Sequence, residues 1–239
     1  MEVYKSLQNL LFIDIETVAQ HPSFEEVDAI GKRLWEQKSF YINENFTPQD
    51  LYTRAGIYAE FGKIICIGVA FFHLNKEKKE LELRVKALSN KNEKELLTQF
   101  KELIGKFDEK KLRLIAHNGK EFDFPYLSRR MIVNEIPLPV SLDLSGKKPW
   151  EIPHLDTLEL WRFGDRKHYT SLELLAYCLG ISAPQSELSK SLIHDTYYKE
   201  DNIPKIVENC INEVILIAQI FLKMNFMPLL SEHQIIKVK

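Results

Sequence analysis

Asp14 and Glu16 stand two residues apart at the end of the run Leu10-Leu11-Phe12-Ile13. That run is apolar and predicts a buried strand. Side chains alternate along a strand, so both acids point to one face, about 6–7 Å apart at the backbone. Two carboxylates on a buried face repel each other and lose hydration, and a divalent cation offsets both costs. The pair alone does not discriminate. With 34 acids in 239 residues, about five acid-x-acid pairs arise by chance, and a solvated strand end is the plainer reading.

Two further groups of residues could complete such a site. Leu112–Ala116 reads as a strand, and His117-Asn118-Gly119-Lys120-Glu121-Phe122-Asp123 follows it. Asp123 then falls near a helix start, where strand ends open onto a crevice. The plainer role for Asp123 is a helix cap, with Asn118-Gly119 a simple turn. The last helix carries Asn209 and Glu213 beside the apolar stripe Ile206, Val207, Cys210, Val214, Ile217, Ala218 and Phe221. Glu213 flanks that stripe and could reach the sheet; by itself it reads as a surface acid.

The elements that must position these groups follow from the pattern. Residues 20–60 are polar and aromatic, with helical spacing from Phe24 to Lys38 and a helix start at Thr47-Pro48. They predict a helical excursion after the first strand. Lys63–Phe72 and Leu81–Leu88 predict a hairpin across the turn 75–79. An amphipathic helix from Asn92 to about Phe107 precedes the strand 112–116, and a helix covers Glu121 to Asn134. Asp156 to Glu159 has the form of a capping box. A helix starts at Thr170 and stops at Gly180, and the last runs from Ile203 to Met224. Residues 135–153, with four prolines, are the most loop-like stretch. The order predicts an α/β domain spanning 1–239: a mixed β-sheet flanked by α-helices.

Composition narrows the classes. Hydrophobic residues are 45% and charged residues 28%, a globular profile. No apolar run is long enough to span a membrane, and Met1–Lys5 lacks the pattern of a signal peptide. Cys66, Cys178 and Cys210 are widely spaced in apolar contexts and read as reduced core residues of a cytoplasmic protein. The net charge of −2 gives no bulk grip on nucleic acid. Such a substrate would need metal ions and a local basic rim, for which Lys120, Arg129, Arg130, Lys147, Lys148, Arg162, Arg166 and Lys167 are candidates.

Phe12-Ile13-Asp14-Ile15-Glu16-Thr17 resembles the first motif of the DEDD-superfamily 3′–5′ exonucleases. Asn118-Gly119-Lys120-Glu121-Phe122-Asp123 resembles the second, in the form found in family-B DNA polymerase proofreading domains. Arg54–Lys63, Gly146–Trp150, His154–Thr157 and Leu160–Asp165 are similar to stretches of stand-alone bacterial relatives of those domains. The resemblance implies a ribonuclease H-like fold. It implies hydrolysis of phosphodiester bonds at the 3′ end of single-stranded nucleic acid, with two Mg2+ or Mn2+ ions held by Asp14, Glu16, Asp123 and Glu213. It also implies contacts from Asn118 and Phe122 to the terminal nucleotide, although Phe122 reads equally as a core residue; Thr17 and His117 are further candidates to touch substrate, and a satisfied helix-entry histidine is the plainer reading of His117.

The chain departs from the family in its third motif. Tyrosine-type members carry Tyr four residues before the last Asp; here those positions are Asn209 and Glu213. An amide can hold water but does not ionise near neutral pH, and Glu reaches one methylene farther than Asp. Histidine-type members place His where Glu208 stands. Tyr197 or Tyr198 is a candidate substitute for the missing Tyr. Asp156 reads as a cap, and Trp161 and Phe163 as packing residues. Three readings follow: an active exonuclease, an impaired relative that still binds metal or nucleic acid, and a non-nuclease interaction module on the same fold.

Overall fold

The structure, a computed structural model, describes residues 7–182 and 188–238. The amino-terminal Met1–Lys5, read above for a leader, lies outside the described residues. The strands are β1 (Leu10–Ala19), β2 (Gly62–Asn75), β3 (Glu80–Ser89), β4 (Arg113–Ala116), β5 (Leu155–Asp156) and β6 (Ile235–Lys237). They form one sheet in the order β5-β4-β1-β2-β3-β6. The β1–β2 and β2–β3 pairs are antiparallel, and β1–β4, β4–β5 and β3–β6 are parallel.

β1 is central and covered on both faces, which explains its nearly unbroken apolar run. On one face Leu11, Ile13 and Ile15 pack on α3 (Glu93–Ile104) and α4 (Asp123–Val133) through Leu96, Leu97, Phe100, Leu127 and Met131. On the other face Phe12 meets Val214, Ile217 and Phe221 of the last helix, α8 (Ile203–Met224). Phe12 also stacks edge-on with Phe72 and Phe221, at 5.2 and 5.6 Å. Asp14 and Glu16 continue the Phe12 face. The packing against α8 is therefore apolar at the start of β1 and acidic toward its end. A register shift between Glu16 and Thr17 ends the regular pairing with β2 just past the acids.

Gly68 sits opposite Asp14 on β2. A Cβ there would lie 2.8 Å from the Cys210 carbonyl oxygen and 3.0 Å from its Sγ. The bare backbone lets α8 approach the sheet closely at the level of the acids.

The excursion after β1 is helical, with a boundary that differs from the sequence expectation. Phe24–Glu26 is one tight turn, and α1 (Ala29–Ile42) begins later. The reason is Asp28, whose side chain caps the amides of Ile30 and Gly31 at 2.9 and 3.0 Å. The short α2 (Pro48–Leu51) carries the Thr47–Asp50 capping box. Trp35 closes this subsidiary core against Tyr52 and Phe61.

After β5 come α5 (Thr157–Arg162), α6 (Leu172–Cys178) and α7 (Ile193–Tyr198). Asp156 caps α5 through the amides of Leu158 and Glu159. The reciprocal half of the expected capping box is absent, because Glu159 turns to Lys120 instead. Cys66 and Cys210 are buried, but Cys178 is exposed, against the expectation of three core thiols. Among the described residues no helix is long and apolar enough to cross a membrane.

Candidate active site

Three elements converge where β1 meets the first half of α8. Asp14, Glu16 and Glu213 offer carboxylate oxygens that all lie within 4.8 Å of one another. Asp14 and Glu16 are 7% and 1% exposed. Asn209, one turn before Glu213, donates from Nδ2 to Glu16 Oε1 at 2.7 Å and to Glu213 Oε1 at 3.1 Å. One amide thus ties the strand acid to the helix acid. Asp123, 3% exposed, approaches from the start of α4. It stands outside the three-acid group, and its Oδ1 accepts from the Ile15 amide at 3.1 Å.

The electrostatics are those of too much negative charge with too little water. Burial pushes Asp14 well above the usual carboxylate range, and Glu213, Glu16 and Asp123 push it further. Burial raises Glu16 to about 7, against the pull of Lys190 and the Asn209 hydrogen bond. Asp123 is also raised to about 7 by burial, although Lys190 and the Ile15 amide oppose it.

Lys190 is the cation of the cluster. Its side chain is 62% exposed, yet its Nζ reaches Glu213 Oε2 at 3.2 Å and Asp14 Oδ1 at 3.8 Å. Crowding around the tip works against its charge, and the carboxylates of Asp14, Glu213, Glu16 and Asp123 outweigh it and hold the ammonium protonated. A cavity of about 370 Å³ opens above, lined by Asp14, Lys190, Asn209, Glu213, His117 and Tyr169 among others.

The residues expected to touch substrate occupy varied positions. His117 lines the cavity, but both ring nitrogens are engaged, by the Thr157 hydroxyl and the Thr170 carbonyl, each at 2.9 Å. Asn118 has positive φ (65°), and its amide donates to Asp156 Oδ1. Phe122 is half-buried against Tyr126, with ring centroids 5.3 Å apart. Thr17 is half-buried and hydrogen-bonds Tyr126.

Several expectations need correction. Arg130 is not a rim residue: it is buried on Glu93, with an N–O distance of 2.6 Å. The Tyr198 hydroxyl donates to the carbonyls of Ala19 and Gln20, and Tyr197 packs on Tyr198 beneath Lys63. The tyrosine that lines the cavity is Tyr169, edge-on to His117 at 6.3 Å. Trp161 packs as expected, but Phe163 is 89% exposed. The sequence reading missed Tyr169 and Lys190. Neither lies in a periodic element, and only the charge demand of an acid cluster called for a lysine.

A family described as predicted 3′–5′ exonucleases related to the exonuclease domain of PolB matches residues 57–234. The match begins beyond β1, so it covers Asp123 and Glu213 but not Asp14 or Glu16. Among solved structures, the chain is similar to a family B DNA polymerase from the hyperthermophilic archaeon Pyrobaculum calidifontis. The TM-score is 0.51 at 12% identity, over 90% of this chain and 25% of that one. The chain therefore spans about a quarter of the polymerase, and the likeness speaks to the fold. The RNase domain of the yeast Pop2 protein aligns at a TM-score of 0.37 and 12% identity, over 98% and 83% of the two chains. No curated protein matches in sequence. The mixed sheet flanked by helices is a ribonuclease H-like exonuclease fold, and the chain belongs to the family of predicted 3′–5′ exonucleases related to the exonuclease domain of PolB.

Proposed function

We propose that the chain is a metal-dependent 3′–5′ exonuclease acting on single-stranded nucleic acid, working as one unit across its whole length. One observation carries this reading: the acids Asp14, Glu16 and Glu213 converge at the wall of an open cavity, in a member of this family. The donors are all carboxylate oxygens, which suit hard cations such as Mg2+ or Mn2+. The cluster already attracts a cation, since the Lys190 ammonium sits against Asp14 and Glu213. The residues therefore fit a divalent ion. Asp14, Glu16 and Glu213 would hold one, and Asp14 with Asp123 a second. When bound, such ions offset the carboxylate repulsion and stabilise the entering and leaving oxygens of an in-line displacement.

The chain's own groups do the rest. Asn209 fixes Glu16 and Glu213 relative to each other through a single amide. Lys190 brings three donors to the point where the charge of a phosphodiester enters. Tyr169 lines the cavity wall beside them and offers a ring and a hydroxyl to the terminal nucleotide. His117 lines the same cavity, and Asn118, Phe122 and Thr17 are the further candidates for contact with the strand.

The test is a 5′-labelled single strand incubated with Mn2+ or Mg2+. A descending ladder that vanishes in EDTA and in Asp14→Ala supports the reading. A folded protein that gives no ladder with any divalent cation overturns it. The position of Asn209 favours a second reading, an impaired relative that binds without cutting, because an amide supplies no ionisable group there. In that case Asn209→Tyr with Glu213→Asp produces cleavage that the parent lacks.

A further inference from the structure

A second depression, of about 310 Å³, lies across the loop 117–122 from the carboxylates. His117 lines the first cavity, and Lys120 and Glu121 line the second, so the loop is a shared wall. The second depression gathers three cations, Lys120, Arg162 and Arg166. Lys120 is anchored on Glu159 and Arg162 on Glu121, with side chains only 18% and 17% exposed. These two are fixed in place. Arg166 is exposed and forms no ion pair among the described residues. Arg162 Nε is buried without a hydrogen-bond partner among the described residues. Three acids share the lining: Glu159 and Glu121 face Lys120 and Arg162, and Asp156 is occupied by the amides of Asn118, Lys120, Leu158 and Glu159. Arg166 is thus the cation of the lining with no acid set against it among the described residues.

Two exposed aromatic residues are chain neighbours of its lining. Trp150, 78% exposed, adjoins the lining residue Pro149 and carries Lys148 Nζ 5.4 Å above its ring. Phe163, 89% exposed, stands between Arg162 and the lining residue Gly164. Phe163 also adopts positive φ (44°), a costly conformation for a bulky residue that here gains no burial in return.

We propose that this depression is a second subsite for the nucleic-acid strand, which takes a backbone phosphate between Arg162 and Arg166 while bases stack on Trp150 and Phe163. It rests on the exonuclease reading and extends it: the strand whose 3′ end occupies the carboxylate cavity crosses the 117–122 loop to reach it. A phosphate set between the two guanidinium groups takes hydrogen bonds from Arg162 and Arg166 together. Stacking holds any base, so the grip is independent of sequence. In a chain of net charge −2, a local grip of this kind replaces bulk attraction.

Two measurements on the full chain test this. The first is binding of a fluorescein-labelled oligothymidylate of about ten nucleotides, with Ca2+ in place of Mn2+ so that the strand stays whole. The second is Mn2+-dependent hydrolysis of the p-nitrophenyl ester of thymidine 5′-monophosphate, which is small enough to sit in the carboxylate cavity alone. Arg166→Gln and Trp150→Ala, both at exposed positions, should each weaken oligonucleotide binding about tenfold. Arg166→Gln should also lower the slope of log affinity against log salt by about one. Ester hydrolysis should stay at the parent rate. Arg162→Gln should behave like Arg166→Gln. Unchanged oligonucleotide affinity in Arg166→Gln and Trp150→Ala overturns the subsite, as does an equal loss on both probes. A parent protein that binds the oligonucleotide through these residues but never hydrolyses the ester keeps the subsite and sinks the catalytic reading instead.

Discussion

Glu93 and Glu16 are both buried carboxylates, 9% and 1% exposed, and they live in opposite circumstances. Glu93 takes hydrogen bonds from Arg130 Nε and Nη2, Asn134 Nδ2 and the Ile64 amide. A full positive charge and several donors match its charge, and the result ties α3, α4 and β2 together. Among the described residues Glu16 accepts one side-chain hydrogen bond, from Asn209, and its charged neighbours are further acids with one lysine reaching in from the surface. The first arrangement is complete as folded. The second is short of positive charge as folded. A buried acid with all its partners holds the fold, and one left short of positive charge marks a site.

The sharpest way to break this contrast is to remove one charged side chain from each centre. Asp14→Ala should cut exonuclease turnover by about a thousandfold or more, the loss of several kcal/mol of charge stabilisation, while the metal-free protein becomes no less stable. Arg130→Ala should do the reverse. It strands Glu93 and costs about 3–5 kcal/mol, a fall in melting temperature of about 10 °C, with turnover per folded molecule retained. Loss of turnover in folded Arg130→Ala would mean that the two centres are not separate.

Metal should reveal the deficit directly. Mn2+ at about one hundred times its Kd should stabilise the parent by about 2.7 kcal/mol, read as a rise in melting temperature. The rise should vanish in Asp14→Asn and persist in Tyr169→Phe.

A smaller effect comes from pH. Glu16 and Asp123 are raised to about 7, chiefly by burial. Between the ordinary carboxylate range and about 7, the folded metal-free protein holds protons that the unfolded chain has released. Its stability should therefore fall as pH rises through that window and level off above it. Urea midpoints in EDTA measure this, and saturating Mn2+ should flatten the slope. A midpoint that rises with pH across the window would mean that the acids are already compensated. Least affected should be Tyr169→Phe, which keeps the ring at the cavity wall and removes only the hydroxyl. A change in KM of about two- to threefold, with kcat nearly intact, is the expected outcome in steady-state kinetics.

Much of this architecture was legible in the chain. The apolar run of β1, the β2–β3 hairpin and the stripe of α8 each carry a period that only one element satisfies. The start of α1 was misplaced because Phe24 and Glu26 fit helical spacing, and the Asp28 cap decides the boundary. β5 and β6 were missed because two or three residues hold no period; pairing with β4 and β3 makes them strands. In the site, the shared face of Asp14 and Glu16 follows from alternation alone. Their meeting with Glu213 was suggested by resemblance, since no local pattern relates a first strand to a last helix. Lys190 and Tyr169 were invisible for the same reason. Arg130 was misread because a buried arginine and a surface one look alike until the partner, Glu93, is known.

Gly68 bears on how near the last helix comes to the acids of β1. With no side chain there, the backbone of Cys210 settles directly onto β2 beside Asp14. The width of the jaw between strand and helix is thus set by a residue that does no chemistry. A methyl group at Gly68 would act as a wedge, lifting α8 and drawing its acid away from Asp14 and Glu16. Glu213, one bond longer than Asp, is the side chain better able to follow such a shift.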